Sequence, residues 1–160
     1  MKIAIALVCV AGVAIGFALP TKKHAPAPAV AAAAPGTPAP PVETVLDRAS
    51  NGHFLAVANV NDEPIRFVVD TGADIVALTE EDARRAHVRF DPSQYEVVGR
   101  GAAGLVRGQE IRIAEIELDG KRASDVQAVI LADGEMSLLG QTFLRKLKEV
   151  RITGDQMRIS

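Results

Sequence analysis

Apolar and polar residues alternate along much of the chain from about residue 44 onward. Alternation with a period of two is typical of β-strands that bury one face. It is clearest in residues 53–60, where the apolar positions share one face: Phe54, Ala56, Ala58 and Val60. A polar turn at residues 61–64 then leads into a second apolar run at residues 65–69. The pattern therefore predicts a β-hairpin that ends directly before Asp70.

The rest of this region predicts further short strands and two short helices. Strands are expected at residues 75–78, 95–98, 109–118, 123–131 and 150–152, and in a last run that ends at Ser160. Asp119-Gly120 is a typical hairpin turn. Thr79, followed three residues later by Asp82, gives a capping-box-like start to a helix that runs through Ala86. A second helical run is expected at residues 141–147.

One of the predicted strands changes its alternation phase along its length. Ile111 and Ile113 share one phase, whereas Ile116 and Leu118 take the other. Such a change predicts a bulge or a bend near residues 114–115. Small barrels need bends of this kind to close.

The N-terminal part of the chain differs in composition from the rest. Residues 1–19 are apolar after Lys2, which is typical of a signal peptide, and residues 3–19 are also about long enough to anchor the chain in a membrane. Residues 20–43 are rich in Ala and Pro and are expected to form an extended linker. The folded domain then covers residues 44–160. We expect it to be exported to the bacterial periplasm or held at the inner membrane facing the periplasm, with cleavage and retention of the first segment both open.

Composition excludes several classes of partner and chemistry. The 18 Lys and Arg residues are balanced by 20 Asp and Glu residues, and no basic cluster indicates a nucleic acid partner. The only cysteine, Cys9, lies in the apolar N-terminal run, so thiol chemistry is excluded from the folded domain. His24, His53 and His87 are far apart and lack metal-ligand spacing. The sequence therefore predicts neither a metal nor a cofactor.

The candidate chemistry lies in the loop after the hairpin, where Asp70 stands between two apolar strand-like runs. A single carboxylate cannot both activate water and protonate a leaving amine, whereas two carboxylates about 3 Å apart share one proton and can do both. The other Asp-Gly pairs, Asp119-Gly120 and Asp133-Gly134, lack this setting. A two-fold homodimer would supply the second carboxylate by bringing Asp70 against its own copy. These residues therefore predict a homodimeric acid protease.

The surroundings of the loop carry a family resemblance. Asp70-Thr71-Gly72 follows an Ile-x-Phe-Val-Val strand, precedes another apolar strand, and lies upstream of Leu138-Leu139-Gly140 and a helix. In these features residues 44–160 resemble the retropepsin-like aspartic proteases, particularly small exported bacterial members. The resemblance implies a mostly β fold, namely a small closed β-barrel with one short C-terminal helix and a glycine-rich flap hairpin. It also implies an aspartic-type endopeptidase that hydrolyses peptide or protein substrates.

The resemblance further implies a role for each residue of the loop. Asp70 would be catalytic, one from each subunit, and Thr71 would send its hydroxyl across the dimer axis to the partner's loop. Gly72 would let the backbone approach the water and the scissile peptide closely. Ala73 and Asp74 would bind the substrate backbone beside the cut. Water would attack the carbonyl directly, with one Asp70 ionised and the other protonated, so activity is expected to peak at acid to mildly acid pH.

The sequence departs from the viral members of this family after Gly140. Those members commonly carry an Arg that ties the helix to an acidic residue of the catalytic loop, and here the position is Gln141. Two alternatives follow. Either Arg145 or Arg100 takes over the role, or the network is absent and the dimer is weaker.

Residues 99–104, Gly-Arg-Gly-Ala-Ala-Gly, have the spacing of a dinucleotide-binding fingerprint. That motif requires a helix directly after it, and Gly108 with the alternating pattern beyond it opposes one. The favoured interpretation is a hairpin tip that closes over a bound peptide, with four substrate-binding residues: Gly101, Ala102, Ala103 and Gly104. A surface loop without that role is the simpler alternative.

The sequence thus predicts an exported, homodimeric aspartic endopeptidase that acts through the Asp70 pair. The alternative is a non-catalytic binding or scaffold module, built on the same barrel, in the extracytoplasmic space.

Overall fold

The computed structural model of the chain describes residues 40–101 and 104–160. The predicted signal peptide or anchor at residues 1–19, and all but the end of the predicted linker, lie outside the described residues. No helix within the described ranges is both long enough and apolar enough to cross a membrane. The first strand begins at Thr44.

The described residues form ten strands, two short α-helices and one 3₁₀ turn. The strands are β1 (Thr44–Asp47), β2 (Leu55–Val60), β3 (Glu63–Val69), β4 (Val76–Thr79), β5 (Glu96–Gly101), β6 (Gly104–Leu118), β7 (Lys121–Leu131), β8 (Ser137–Leu139), β9 (Val150–Thr153) and β10 (Gln156–Ile159). The helices are α1 (Glu80–Arg85) and α2 (Gln141–Leu144), and the 3₁₀ turn is Pro92–Gln94.

Six of these strands close into a barrel in the order β2-β3-β8-β4-β7-β6. The ring is completed by the antiparallel pairing of β2 with β6, in which Asn59 lies opposite Glu117. Strand β5 pairs only with β6 and forms a hairpin at the end of the sheet. The mostly β, closed-barrel fold that the sequence predicted is therefore confirmed.

The point of closure is fastened by a carboxylate. Glu117 accepts hydrogen bonds from the backbone N–H of Gly120 (2.5 Å) and from the side-chain amide of Asn59 (2.9 Å). These two donors lower the pKa of Glu117, because they favour its charged form. The ionised Glu117 carboxylate thus links the β6–β7 turn to β2, at the strand pairing that closes the barrel.

Two tight turns set the registers of the barrel hairpins. Asn61 and Asp62 have φ values of 49° and 69°, and Asp119 and Gly120 have φ values of 49° and 79°. Positive φ at both central residues matches the twist of antiparallel strands, and Asn, Asp and Gly adopt it most easily. The turn predicted at residues 61–64 is shorter than expected, since β3 already begins at Glu63.

The predicted bend lies in both strands of the β6–β7 pair. The buried face of β6 switches to even-numbered residues after Ile113. Ile113 lies opposite Val126 and Glu115 lies opposite Ser124, so the pairing continues without a shift in register. Asp125 has a φ of 51°, and the buried face of β7 changes at the same level. The prediction is confirmed as a bend, not as a one-residue bulge.

The two helices begin where the sequence predicted, but the second is shorter. The Thr79 hydroxyl accepts a hydrogen bond from the Asp82 N–H (3.1 Å) and caps α1. Helix α2 ends at Leu144, so the prediction of a helix through residue 147 was wrong. After Leu144 the backbone bonds are those of tighter turns, from the Lys146 N–H to the Phe143 carbonyl (2.9 Å) and from the Leu147 N–H to the Leu144 carbonyl (3.2 Å). The Lys148 N–H then donates to the Ser160 carbonyl (2.8 Å), beside the C-terminal strand.

The two ends of the domain pair with each other. Strand β10 lies between β1 and β9 in a three-stranded antiparallel sheet. Its inner face carries Met157 and Ile159, which are buried against the barrel core. Strand β1 was not predicted, since its four residues show too little alternation to mark a strand by themselves.

Candidate active site

Asp70 directly follows β3, and the sheet fixes where its backbone lies. The Asp70 N–H donates to the Leu139 carbonyl of the neighbouring strand β8 (3.2 Å). One carboxylate oxygen, Oδ1, accepts a hydrogen bond from the Gly72 N–H (2.9 Å). A Cβ atom on Gly72 would lie 3.3 Å from that oxygen. The loop therefore orients the Asp70 side chain through its own backbone, and a larger residue at position 72 would crowd the carboxylate.

Gly140 allows β8 to pack directly behind the loop. A Cβ atom at this position would lie 2.2 Å from the Ile75 carbonyl oxygen and 2.9 Å from the Ala73 carbonyl oxygen. Side-chain carbons do not approach backbone oxygens so closely. The glycine after Leu138-Leu139 is therefore required by space, which gives the predicted apolar-apolar-Gly signature a physical cause.

Gln141 ties the first turn of α2 to the loop. Its backbone N–H donates to the Ala73 carbonyl (2.9 Å), and its side-chain amide donates to the Thr71 carbonyl (2.8 Å). Neither Arg145 nor Arg100 has a hydrogen bond to the loop among the described residues. Among the described residues no arginine therefore takes this role, and Gln141 instead ties the helix to the loop backbone within one chain. A weaker dimer stays a prediction.

Thr142 adds a contact that sequence reasoning missed. Its hydroxyl accepts a hydrogen bond from the Val76 N–H (2.9 Å) and donates to the Gln127 carbonyl (2.7 Å). It therefore joins α2 to β4 and β7 at once. The one available signal was a hydroxyl residue in the first turn of a short helix, which alone does not identify its partners.

A cleft of about 650 Å³ opens beside Asp70. One wall is the loop that carries Asp70 and the other is the β5–β6 hairpin, including Gly101 near its tip. A second cavity of about 360 Å³ shares Asp70 and Leu138 with the cleft. Asp70 therefore lies where the two cavities meet, which is where a bound chain could pass over its carboxylate.

The structure brings most of the predicted site residues together. Five of them line the cleft: Asp70, Gly72, Ala73, Asp74 and Gly101. Thr71 is exposed in the loop and does not line it. Gly104 lies opposite Gly101 and borders a neighbouring cavity of about 330 Å³ that shares Gly101 with the cleft. Ala102 and Ala103 lie outside the described residues.

The glycine-rich segment is a hairpin and not a nucleotide-binding turn. Arg100 lies opposite Leu105 and Gly101 opposite Gly104, and β6 continues as a strand to Leu118. No helix follows the glycines, so the dinucleotide interpretation is excluded. The favoured hairpin interpretation is confirmed as a structure, whereas its closing over substrate stays a prediction.

The base of this hairpin is held against α1. The Tyr95 hydroxyl donates to the Glu80 carboxylate (2.9 Å), and Arg84 pairs with the same carboxylate. Burial, together with the hydrogen bond to Glu80, raises the pKa of Tyr95 to about 12. The hydrogen bonds from Tyr95 and Arg84 lower the pKa of Glu80. These contacts hold the base of the β5–β6 hairpin in place against α1.

The barrel and the loop together define a class of protein. A closed six-stranded barrel that presents an Asp-Thr-Gly loop at a cleft, with Leu-Leu-Gly packed behind it, is the retropepsin-like aspartic protease fold. The family model described as gag-polyprotein putative aspartyl protease matches residues 56–146, more than half of the 160-residue chain. The chain belongs to this family.

Relatives and solved structures agree with this assignment. The chain is 31% identical to a retropepsin-like aspartic protease from Rickettsia conorii, with a TM-score of 0.62 over 74% of this chain and 89% of that one. It is 33% identical over 73% of its length to an uncharacterized protein from the cobV 5' region of a Sinorhizobium species. It is 32% identical over 71% of its length to an uncharacterized protein of Rickettsia prowazekii. The chain spans about half the length of these curated relatives, 51% and 49%.

Proposed function

We propose that the protein is an aspartic endopeptidase whose active site forms between two copies of the chain. The observation that carries the proposal is the Asp70 carboxylate, oriented by the Gly72 N–H at the meeting point of two cavities. Family membership supports the same chemistry. Each chain supplies one such carboxylate, and the reaction needs two.

The proposed dimer places the two Asp70 carboxylates face to face about a two-fold axis. When the two carboxylates lie about 3 Å apart, repulsion between their negative charges keeps one proton between them. The ionised carboxylate then takes a proton from water as the water attacks the peptide carbonyl. The protonated carboxylate polarises the carbonyl oxygen, and a proton passes to the leaving amine.

In this proposal the other predicted residues keep their roles. The Thr71 hydroxyl makes no hydrogen bond among the described residues, and in the dimer it would bond to the loop of the second subunit. Ala73 and Asp74 would bind the backbone of an extended peptide, and the glycine-rich hairpin would close over it. Residues 1–43 would export the domain and hold it, cleaved or anchored, on the periplasmic side of the inner membrane.

The catalytic role of Asp70 is tested with a diverse peptide pool at acid to neutral pH. Purified wild type should yield new peptide termini, and Asp70→Asn should yield none. Asp62→Asn is a matched control, because Asp62 lies in the exposed β2–β3 turn, where Asn also tolerates a positive φ. Equal, cleavage-free pools from wild type and Asp70→Asn would refute the proposal and favour the non-catalytic binding module.

The need for two copies is tested by subunit mixing. If both carboxylates are required, an equal mixture of wild type and Asp70→Asn that has exchanged subunits should keep about one quarter of the activity of the same total amount of wild type. A site complete within one chain would keep about one half. Sedimentation of the same samples should show a dimer at the assay concentration.

A further inference from the structure

The floor of the cleft is a row of residues that crosses the sheet. Leu138 on β8 lies opposite Ala77 on β4, and Ala77 lies opposite Val129 on β7. Val129 in turn lies opposite Glu110 on β6. All four line the cleft beside Asp70. Residues directly opposite one another on paired strands point to the same face of a sheet, so the row forms one continuous surface.

This surface changes character at its far end. Ala77 and Val129 are buried, with exposed fractions of 5% and 3%, and Leu138 is half-buried. Glu110 is exposed, and the described residues include no hydrogen-bond or ion-pair partner for its carboxylate. The apolar floor therefore ends at the Glu110 carboxylate, which has no ion-pair partner among the described residues.

The distance along the row fixes which substrate residue would meet Glu110. Leu138 marks the reacting end, since Leu138 and Asp70 are shared by the cleft and the neighbouring cavity. Glu110 is three strands away, which is about 14 Å along the sheet at ~4.8 Å per strand. An extended peptide covers about 14 Å in roughly four residues.

The other charges that line the cleft do not cancel this one. Asp70 and Asp74 are themselves acidic and belong to the catalytic loop. Arg100 lies opposite Leu105, near the tip of the hairpin. Leu105 is five residues from Glu110 along β6, or about 17 Å of extended strand. Arg100 and Glu110 therefore lie at different ends of the β5–β6 hairpin.

We propose that Glu110 is a specificity residue that selects a basic side chain at the fourth substrate residue from the bond cut. The inference rests on the proposed endopeptidase function. In a two-fold dimer Glu110 occurs on both sides of the site, so the preference should appear on either side of the cut. The expected gain is two- to fivefold, the range that a solvent-exposed ion pair supplies.

The test is a positional scan in a peptide that the wild type cleaves. Lys, norleucine and Glu are placed in turn at the second to fifth residues on each side of the cut, and kcat/KM is measured at about pH 6, where ordinary carboxyl groups are ionised. Lys should exceed norleucine about two- to fivefold at the fourth residue, and Glu should fall below norleucine. The ratio should shrink as salt rises from about 0.05 to about 0.5 M.

Three variants assign the preference to Glu110. Glu110→Gln should bring the Lys-to-norleucine ratio at the fourth residue to about one, and Glu110→Lys should favour Glu there instead. Glu81→Gln, an exposed carboxylate on α1 that does not line the cleft, should leave the wild-type ratio unchanged. A loss of stability alone would lower kcat/KM for all peptides and would not change their ratio.

A binding measurement separates this inference from the proposed function. Asp70→Asn, labelled peptides and fluorescence anisotropy give dissociation constants without cleavage. A Lys preference in binding that Glu110→Gln abolishes would support the inference even if the wild type cut nothing. Cleavage with no charge preference at the fourth residue would overturn the inference and leave the proposed function standing. Failure of the inactive variant to bind any of the peptides would overturn the inference as well.

Discussion

Replacing Gly140 with Ala tests whether the loop that carries Asp70 depends on the close approach of β8. Gly140 has φ −94° and ψ −171°, extended values that any residue adopts, so the backbone conformation does not require glycine. The obstacle is space. The added methyl carbon would lie 2.2 Å from the Ile75 oxygen, 2.6 Å from the Ile75 carbonyl carbon and 2.9 Å from the Ala73 oxygen.

The cost follows from what would have to move. All three atoms belong to the backbone, and the Ala73 oxygen also accepts the Gln141 N–H (2.9 Å). Overpacking in a well-packed region costs about 1–3 kcal/mol, and a backbone obstacle places this case at the upper end. Loss of one hydrogen bond would add about 1 kcal/mol. We therefore expect Gly140→Ala to lower the free energy of unfolding by about 3–4 kcal/mol, which is a fall in Tm of roughly 10 °C or more.

The assay is urea unfolding of the purified protein followed by circular dichroism. Gly99→Ala is the matched control, because a Cβ atom there would meet nothing within 4 Å and the φ of Gly99 is not positive. Its free energy of unfolding should lie within about 0.5 kcal/mol of wild type. A change of less than about 1 kcal/mol for Gly140→Ala would show that β8 and the loop are not packed as described.

Three further substitutions probe the site and the barrel. Gly72→Ala should crowd Asp70 and lower kcat/KM about tenfold or more, while the free energy of unfolding measured in urea changes by less than about 1 kcal/mol. An unchanged kcat/KM would contradict this. Gln141→Ala should lose the bond to the Thr71 carbonyl and about 1 kcal/mol of stability in thermal unfolding; an unchanged Tm would count against that bond. Because the pKa of Glu117 is lowered by folding, its stabilisation is complete above its ordinary value of 4.5 and is lost as pH falls through the folded value. Glu117→Gln should therefore be about 1 kcal/mol less stable near pH 7, and its difference from wild type should shrink as the pH falls below 4.5. Parallel pH curves would refute this.

Local signals in the sequence were sufficient for the elements whose cause is local. The β2–β3 hairpin follows from alternation and from an Asn-Asp turn, and the start of α1 follows from the Thr79 cap. Strand β1 escaped prediction because its stability comes from pairing with β10, more than 100 residues away in the chain. The length of α2 escaped for a similar reason, since the chain that follows it pairs with the distant C-terminal residue Ser160 through the Lys148 N–H.

The same division holds within the candidate site. Asp70 and Gly72 lie in a loop whose flanking strands are visible in the adjacent residues, so the sequence was sufficient to predict a loop that lines the cleft. The contacts of Gln141 and Thr142 join segments that are far apart in the sequence, and only the register of the sheet reveals them. Glu110 is the extreme case, because its place in the cleft depends on three successive strand pairings.

The contacts that hold the Asp70 loop bear on the proposal that the active site needs a second copy of the chain. Leu139 and Gln141 hold the loop backbone through the Asp70 N–H and the carbonyls of Thr71 and Ala73. The Gly72 N–H holds one oxygen of the Asp70 carboxylate. Among the described residues, no group donates a hydrogen bond to Asp70 Oδ2, and the Thr71 hydroxyl makes no hydrogen bond. One chain therefore orients the Asp70 carboxylate, and within the described part of the chain no hydrogen bond joins that carboxylate to a second acid. Since water activation and leaving-group protonation need both protonation states at once, the proposed two-fold copy would supply the second carboxylate and a partner for the Thr71 hydroxyl.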